Sequence, residues 1–202
     1  MKRAFVPTYR MNLAKRVPSI LAIALASFLA FPASGQVASN AEVRFHDDLL
    51  DNLVGRWDVE AVIHGQKFTL DREAEWVLNH QYLRITEKSR EDVPWLKMPF
   101  ERTLYIGFNH RSKRYVVYEL SVHGADVPFV PEGFFYGVRK GNELEIERMN
   151  GPEVVARSRL TWDPATGSWS TQARRIVAGK EQAPHVEQKA VPAKVSTKPG
   201  SR

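Results

Sequence analysis

From about residue 56 to residue 177, apolar and polar positions alternate in short runs, and no helical period longer than two turns interrupts them. A period of two is the mark of a strand with one buried face. Nine runs follow one another: Arg56–Ile63, Phe68–Leu78, Gln81–Lys88, Arg102–Phe108, Arg114–Val122, Phe134–Arg139, Glu143–Met149, Val154–Trp162 and Ser168–Val177. His64-Gly65, Asn79-His80, Gly141-Asn142, Asn150-Gly151 and Asp163-Pro164-Ala165-Thr166-Gly167 separate several of them. Residues of these types turn the chain by tolerating positive φ or by bonding their own backbone. The pattern predicts an all-β fold, an antiparallel up-and-down barrel of about eight to ten strands. Before it, His46–Leu53 reads as a short N-terminal helix, with Leu49, Leu50 and Leu53 on one face and Asp47, Asp48 and Asp51 near its start and outer side. Nine strands would close with the first and last parallel. An unrecognised strand around Pro94–Phe100 or before Arg56 would restore an even count.

Connection lengths divide the two ends of such a barrel. The second, fourth, sixth and eighth connections are all tight. The opposite end carries the two long ones, Ser89–Glu101 and His123–Gly133, and both are apolar for loops. The first contains Trp95, Leu96, Met98 and Phe100, and the second contains Val127, Phe129 and Val130. Loops usually run over the surface and are polar, so these segments suggest a lid around a mouth, a docking patch or a missed strand. The tight end receives Trp57 and the short helix, and is expected to be plugged.

The flanks read differently. Residues 1–35 have the order of a secretory signal: Lys2, Arg3, Arg10, Lys15 and Arg16, then the apolar run Ile20–Phe31, then Ala33-Ser34-Gly35. Met11 is an alternative start. The apolar run is short for a membrane span, and no cysteine follows it to carry a lipid anchor. Export is therefore expected, to the periplasm or beyond the cell. The segment 180–202 has Pro184, Pro192 and Pro199 and no aromatic residue, and reads as a disordered tail after a domain at 41–179. The net charge of +6 belongs to these flanks. Residues 1–35 carry five positive charges, and 180–202 carry five more against two acidic residues, which leaves the middle at net −2. That balance gives no basic face for nucleic acid. The absence of cysteine rules out disulfides, thiolate metal sites and cysteine nucleophiles.

The stretch Leu53-Val54-Gly55-Arg56-Trp57 places a glycine, one spacer and a tryptophan at the mouth of the first strand. Gly55 allows an unusual backbone entry, and Trp57 is sized to plug a barrel end. This opening resembles the Gly-x-Trp element of lipocalin-like, or calycin, barrels. The run Leu104-Tyr105-Ile106-Gly107-Phe108-Asn109 followed by Arg114-Tyr115-Val116-Val117-Tyr118 is similar to secreted bacterial proteins grouped as a lipocalin-like domain of unknown function. The resemblance covers about residues 48–177. It implies a calycin-like barrel with a small-molecule cavity and supplies no catalytic residues. The haem-binding nitrobindin-like barrels are a related group whose opening continues with further glycines; here Asp58, Val59, Glu60 and Ala61 follow Trp57.

Within the barrel, Asp71, Glu73 and Glu75 share one face of the second strand and are expected in solvent, which sends Leu70, Arg72, Ala74 and Trp76 inward. Arg148 likewise continues the face of Leu144 and Ile146. A buried cation must be paired or hydrogen-bonded. Two readings follow: a structural ion pair with an inward carboxylate such as Glu119, or an anchor for the polar head of a ligand. The candidate ligand wall comprises Arg72, Trp76, Trp95, Met98, Phe100, Tyr118, Phe129 and Arg148, with Gly55 and Trp57 as the structural plug. The six histidines show no metal-binding spacing, and His123 at the start of the second long loop is a candidate mouth contact. No nucleophile elbow or phosphate loop occurs. The leading expectation is an exported, non-enzymatic protein that binds a small apolar or amphipathic molecule, without cofactor, nucleic-acid partner or membrane span after cleavage. The alternatives are an envelope interaction protein with a side-chain-filled barrel, and a haem-binding nitrobindin-like enzyme.

Overall fold

Ten antiparallel strands close into one up-and-down barrel in the computed structural model, which describes residues 45–122 and 134–194. A one-turn helix, α1 (Asp48–Asp51), precedes β1 (Gly55–Ile63), β2 (Gln66–Val77), β3 (Tyr82–Val93), β4 (Met98–Asn109) and β5 (Arg114–Ser121). There follow β6 (Phe134–Lys140), β7 (Glu143–Asn150), β8 (Glu153–Asp163), β9 (Ser168–Val177) and β10 (Lys180–Pro192). Each strand pairs with its neighbours in sequence, and β10 returns to pair with β1 from Trp57↔Pro192 to Ile63↔Val186. The fold is the closed, antiparallel up-and-down all-β barrel expected from the alternation.

The tenth strand lies where the sequence suggested a disordered tail. Along β10, Gln188 and Ala190 are buried while Glu187 and Lys189 are exposed, so the period of two persists past residue 180. Its prolines stand where a strand tolerates them: Pro184 at a register shift against β9, and Pro192 at the strand end. The strand closes the barrel with antiparallel neighbours on both sides, which removes the odd-count difficulty. Segment 1–35 and the remainder of the expected tail, from residue 195 on, lie outside the described residues.

A second correction concerns Ser89–Glu101. It is no open loop: β3 runs on to Val93, β4 starts at Met98, and only Pro94–Lys97 turn between them. Ser89 stabilises this extension, its hydroxyl donating to the Glu91 carbonyl at 2.6 Å and accepting the Phe100 amide at 2.8 Å. The turn at His64-Gly65 has φ of 50° and 78°, and that at Ala178-Gly179 has 48° and 75°. Paired positive φ values match the right-handed twist of the strands they join.

Alternation then sorts the side chains. Val59, Leu70, Ile85, Ile106, Val117, Ile146 and Leu160 fill the interior, and Asp71, Glu73 and Glu75 are exposed as expected. The turns after β2, β4, β6 and β8 gather at the helix end, and the described turns after β1, β3, β7 and β9 gather at the opposite end, the mouth.

Candidate functional site

The helix end is sealed. Asp47 caps α1, its Oδ1 accepting the Leu49 and Leu50 amides at 2.9 and 3.0 Å. Its Oδ2 accepts the Tyr115 phenol, and Arg139 approaches Asp47 while bonding both oxygens of Asp48. Burial first, and then the bond to Asp47, pushes the Tyr115 phenol above the ordinary tyrosine range. Leu49, Leu50 and Leu53 are fully buried beneath the helix. Trp57 is buried as expected of the plug; its Nε1 donates to the Leu53 carbonyl at 2.8 Å and its ring meets Trp162 edge-on. Gly55 has φ of 129°, a conformation that favours glycine, while a Cβ there would meet nothing within 4 Å. Backbone entry, rather than close packing, is what this position requires.

Trp76 was expected on a ligand wall but is part of the same plug. Its Nε1 donates to Asp51 at 2.8 Å, and its ring stacks on His80 and meets Phe45 edge-on. Phe45, Phe108 and Tyr115 complete this aromatic cap.

Above the plug the barrel carries a buried charge cluster. Trp57, Arg72, Glu87 and Arg102 lie directly opposite one another across β1, β2, β3 and β4, and therefore share one face. Arg72 Nε donates to Glu87 Oε1 at 2.7 Å, Arg102 Nε donates to Glu87 Oε2 at 2.6 Å, and Arg72 Nη2 donates to Gln188 Oε1 at 2.8 Å. Burial alone would raise the Glu87 pKa. Arg102 and Arg72 outweigh it and hold the carboxyl at about 2. Burial lowers the Arg102 pKa, and Glu87 and then Glu119 outweigh that and raise it. Arg72 is thus satisfied by the protein itself, through Glu87 rather than the Glu119 proposed from sequence. Glu87 was not singled out there, yet its alternation with the buried Leu83 and Ile85 placed it inward.

Arg148 is different. It sits on the inner face of β7, towards the mouth, opposite Phe135 on β6, with its guanidinium 4.7 Å from the centre of that ring. Among the described residues no carboxylate forms an ion pair with it. Burial lowers its pKa, Glu119 opposes that, and the charge of Arg102 adds to it. The side chain remains a cation, because guanidinium is not deprotonated in proteins. Cation–π stacking offsets only part of the cost of burying such a charge.

The rim of the mouth is apolar and aromatic. Trp95, in the β3–β4 turn, packs edge-on against His64 and Phe68, and remains 43 % exposed. Met98 is 48 % exposed, and Phe100 is half-buried against the core. His64 stacks on His185, whose Nδ1 is buried without a hydrogen-bond partner. Phe129 and His123 lie outside the described residues. Tyr118 was expected to line the ligand site. With Tyr115 and Val117 buried on the inner face, it points outward, where it faces Tyr105 on β4.

The outer wall bears a recess of about 880 Å³, lined largely by outward residues such as Glu60, Lys67, Thr69, Thr161, Gln172 and Lys189. Along its border Arg157 and Arg159 are neutralised by Glu145, Glu147 and Glu181. Among the described residues, no helix is long and apolar enough to cross a membrane, and no three acidic or histidine side chains converge as metal ligands. Neither the models of known protein families nor the sequences of curated proteins match this chain.

Proposed function

We propose that this protein is an exported, lipocalin-like binding protein that takes a small amphipathic molecule into the mouth half of its barrel, without catalysing a reaction. The observation that carries this reading is Arg148: an inward guanidinium, half-buried, stacked on Phe135 and, among the described residues, not ion-paired. The inward Arg72 and Arg102, nearer the plug, both have the carboxylate of Glu87. A ligand head could complete Arg148, while Phe68, Phe100, Trp95 and Met98 offer apolar surface to the ligand's body. Export is supported by the basic, apolar and small-residue order of residues 1–35. The lipocalin-like assignment is supported by the closed meander and by the Gly55–Trp57 entry into β1.

A second reading, an envelope interaction protein with a self-filled barrel, draws support from the Arg72–Glu87–Arg102–Gln188 cluster, which occupies the interior above the plug. The two are separated by purifying the protein from the cells that make it and recording native mass spectra beside an absorbance scan. A reproducible extra mass, lost on denaturation and absent from Arg148→Gln, is expected. A bare mass from both proteins, with no uptake of added amphiphiles, would favour the filled barrel, and a Soret band would redirect attention to haem.

A further inference from the structure

Arg148 has a counterpart on the same wall. Arg148 on β7 lies opposite Ala156 on β8, and Ala156 lies opposite Arg175 on β9, so all three share the inner face. Two ladder steps separate the arginines, about 10 Å between their Cα atoms. The residue between them is an alanine, too short to fill the gap. The Arg148 guanidinium leans over Phe135 on the β6 side, and on the β8 side a single methyl group covers the wall between the two arginines. Arg175 is exposed at the mouth, and among the described residues it too forms no ion pair.

The charge count of the interior indicates what would fill that space. Above the plug, the inward ionised side chains described are Arg72, Arg102, Arg148 and Arg175 against Glu87 and Glu119. Four guanidiniums face two carboxylates, and the excess is two positive charges at the mouth end. A third feature lies beside them. The buried, unpartnered Nδ1 belongs to His185, whose pKa is lowered by burial first, and then by Arg175, His64 and Arg148. This imidazole is thus within electrostatic reach of both free arginines and has a polar atom still to satisfy.

We propose that Arg148 and Arg175 form a two-armed clamp for a doubly charged tetrahedral anion, a phosphate monoester, with His185 as a further polar contact. The proposal rests on the binding reading given above and names the head group that this site selects. A phosphate monoester carries close to two negative charges above its second pKa of about 6 and offers three acceptor oxygens. Guanidinium forks bind such oxygens in pairs. A carboxylate or a sulfate monoester brings one charge and leaves one of the two positive charges uncompensated. The phosphate can belong to a lipid-like molecule with an apolar body, or to a free, fully polar phosphate.

The test is calorimetric titration of the full chain at pH 8 with monodecyl phosphate, decyl sulfate, decanoate and inorganic phosphate, all at submicellar concentration. Monodecyl phosphate is expected to bind at least tenfold more tightly than decyl sulfate or decanoate. Arg175→Gln should bring monodecyl phosphate down to the affinity of decyl sulfate and so erase that preference. Arg175→Lys should retain part of it. A measurement on the unaltered chain accompanies the variants: monodecyl phosphate should raise the His185 pKa followed by NMR, because its charge offsets both arginines. Equal affinity for the three decyl amphiphiles would overturn the clamp and leave the amphiphile reading standing. Binding of inorganic phosphate as tight as monodecyl phosphate, lost in Arg175→Gln, would keep the clamp and overturn the amphiphile reading in favour of a free phosphate. Absence of binding by all four probes, with the His185 pKa unmoved, would overturn both.

Discussion

Inside the barrel, Arg72 and Glu87 hold one another at 2.7 Å with side chains only 4 % and 1 % exposed, while the next residue along β2, Glu73, meets Arg56 on the outer wall at 3.4 Å in open solvent. Neighbouring positions of one strand thus carry ion pairs of opposite character. A double-mutant cycle on Arg72 and Glu87 is expected to return a coupling of about 2 kcal/mol or more, and the cycle on Arg56 and Glu73 less than about 1 kcal/mol. Glu87→Gln alone should cost roughly 3–5 kcal/mol, since it leaves two buried guanidiniums short of charge. Urea unfolding of the four single and two double variants measures both couplings; equal values would mean that the inner cluster is far wetter than its burial indicates.

The same carboxyl sets an acid limit. Glu87 titrates at about 2 in the fold against 4.5 unperturbed. A carboxyl depressed in this way stabilises the fold fully above its unfolded pKa, and that contribution is withdrawn as the pH falls through the folded value. Stability should therefore decline from about pH 4.5 to about pH 2, by up to roughly 3 kcal/mol. Glu181, held down to about 2 by Arg159 and then Arg157, titrates in the same window but is close to solvent, and its share is screened. Unfolding midpoints at pH 6, 4 and 3 should fall less steeply for Glu87→Gln than for the parent protein. Parallel slopes would assign the acid sensitivity elsewhere.

At the sealed end, Trp57→Ala is expected to destabilise the barrel by roughly 3–5 kcal/mol, as the truncation of a buried aromatic. Trp57→Phe keeps most of the packing and removes only the bond to the Leu53 carbonyl, for about 1 kcal/mol. Thermal or urea midpoints decide this, and an unmoved midpoint for the alanine variant would mean that the plug does not depend on Trp57.

Asp47 joins the plug helix to the barrel wall. Asp47→Ala removes the helix cap and the acceptor of the Tyr115 phenol together, for about 2 kcal/mol. Amide exchange over residues 45–53 should accelerate in this variant, and Tyr115, relieved of the neighbouring carboxylate, should titrate lower than in the parent. Unchanged exchange would show that the apolar face of α1 suffices to hold it.

Removing the chain from Lys180 onward gives the sharpest contrast between a tail and a strand. Without β10, the edges of β1 and β9 lose their partners and Ala61 and Trp169 lose cover. The truncated protein should lose cooperative unfolding; a tail with no structural role could be removed without effect.

The particular residues show where sequence reading holds and where it fails. Arg72, Arg148, Asp71, Glu73 and Glu75 were assigned to the correct faces, because a strand alternates and a single register decides every side chain on it. Trp57 was placed at the plug for the same reason, joined to the tight turns. Alternation sends Trp76 to the correct face but does not say at which end of the barrel it lies, and Tyr118 follows from residue type alone, which does not say on which face an aromatic lies. The partner of Arg72 was misassigned because Glu87 and Glu119 both face inward, and only the stagger of β2, β3 and β4 brings Glu87 opposite Arg72.

The order of apolar and polar residues by itself determined the all-β meander, its sealed end, and which charges face the lumen, since each follows from local periodicity and turn chemistry. The tertiary structure alone decided that 180–192 is the closing strand, that Arg72 is satisfied and Arg148 is not, and that Arg148 and Arg175 flank Ala156. Those relations join residues up to a hundred or more positions apart. They depend on barrel closure and on the register between strands, which no stretch of sequence contains on its own.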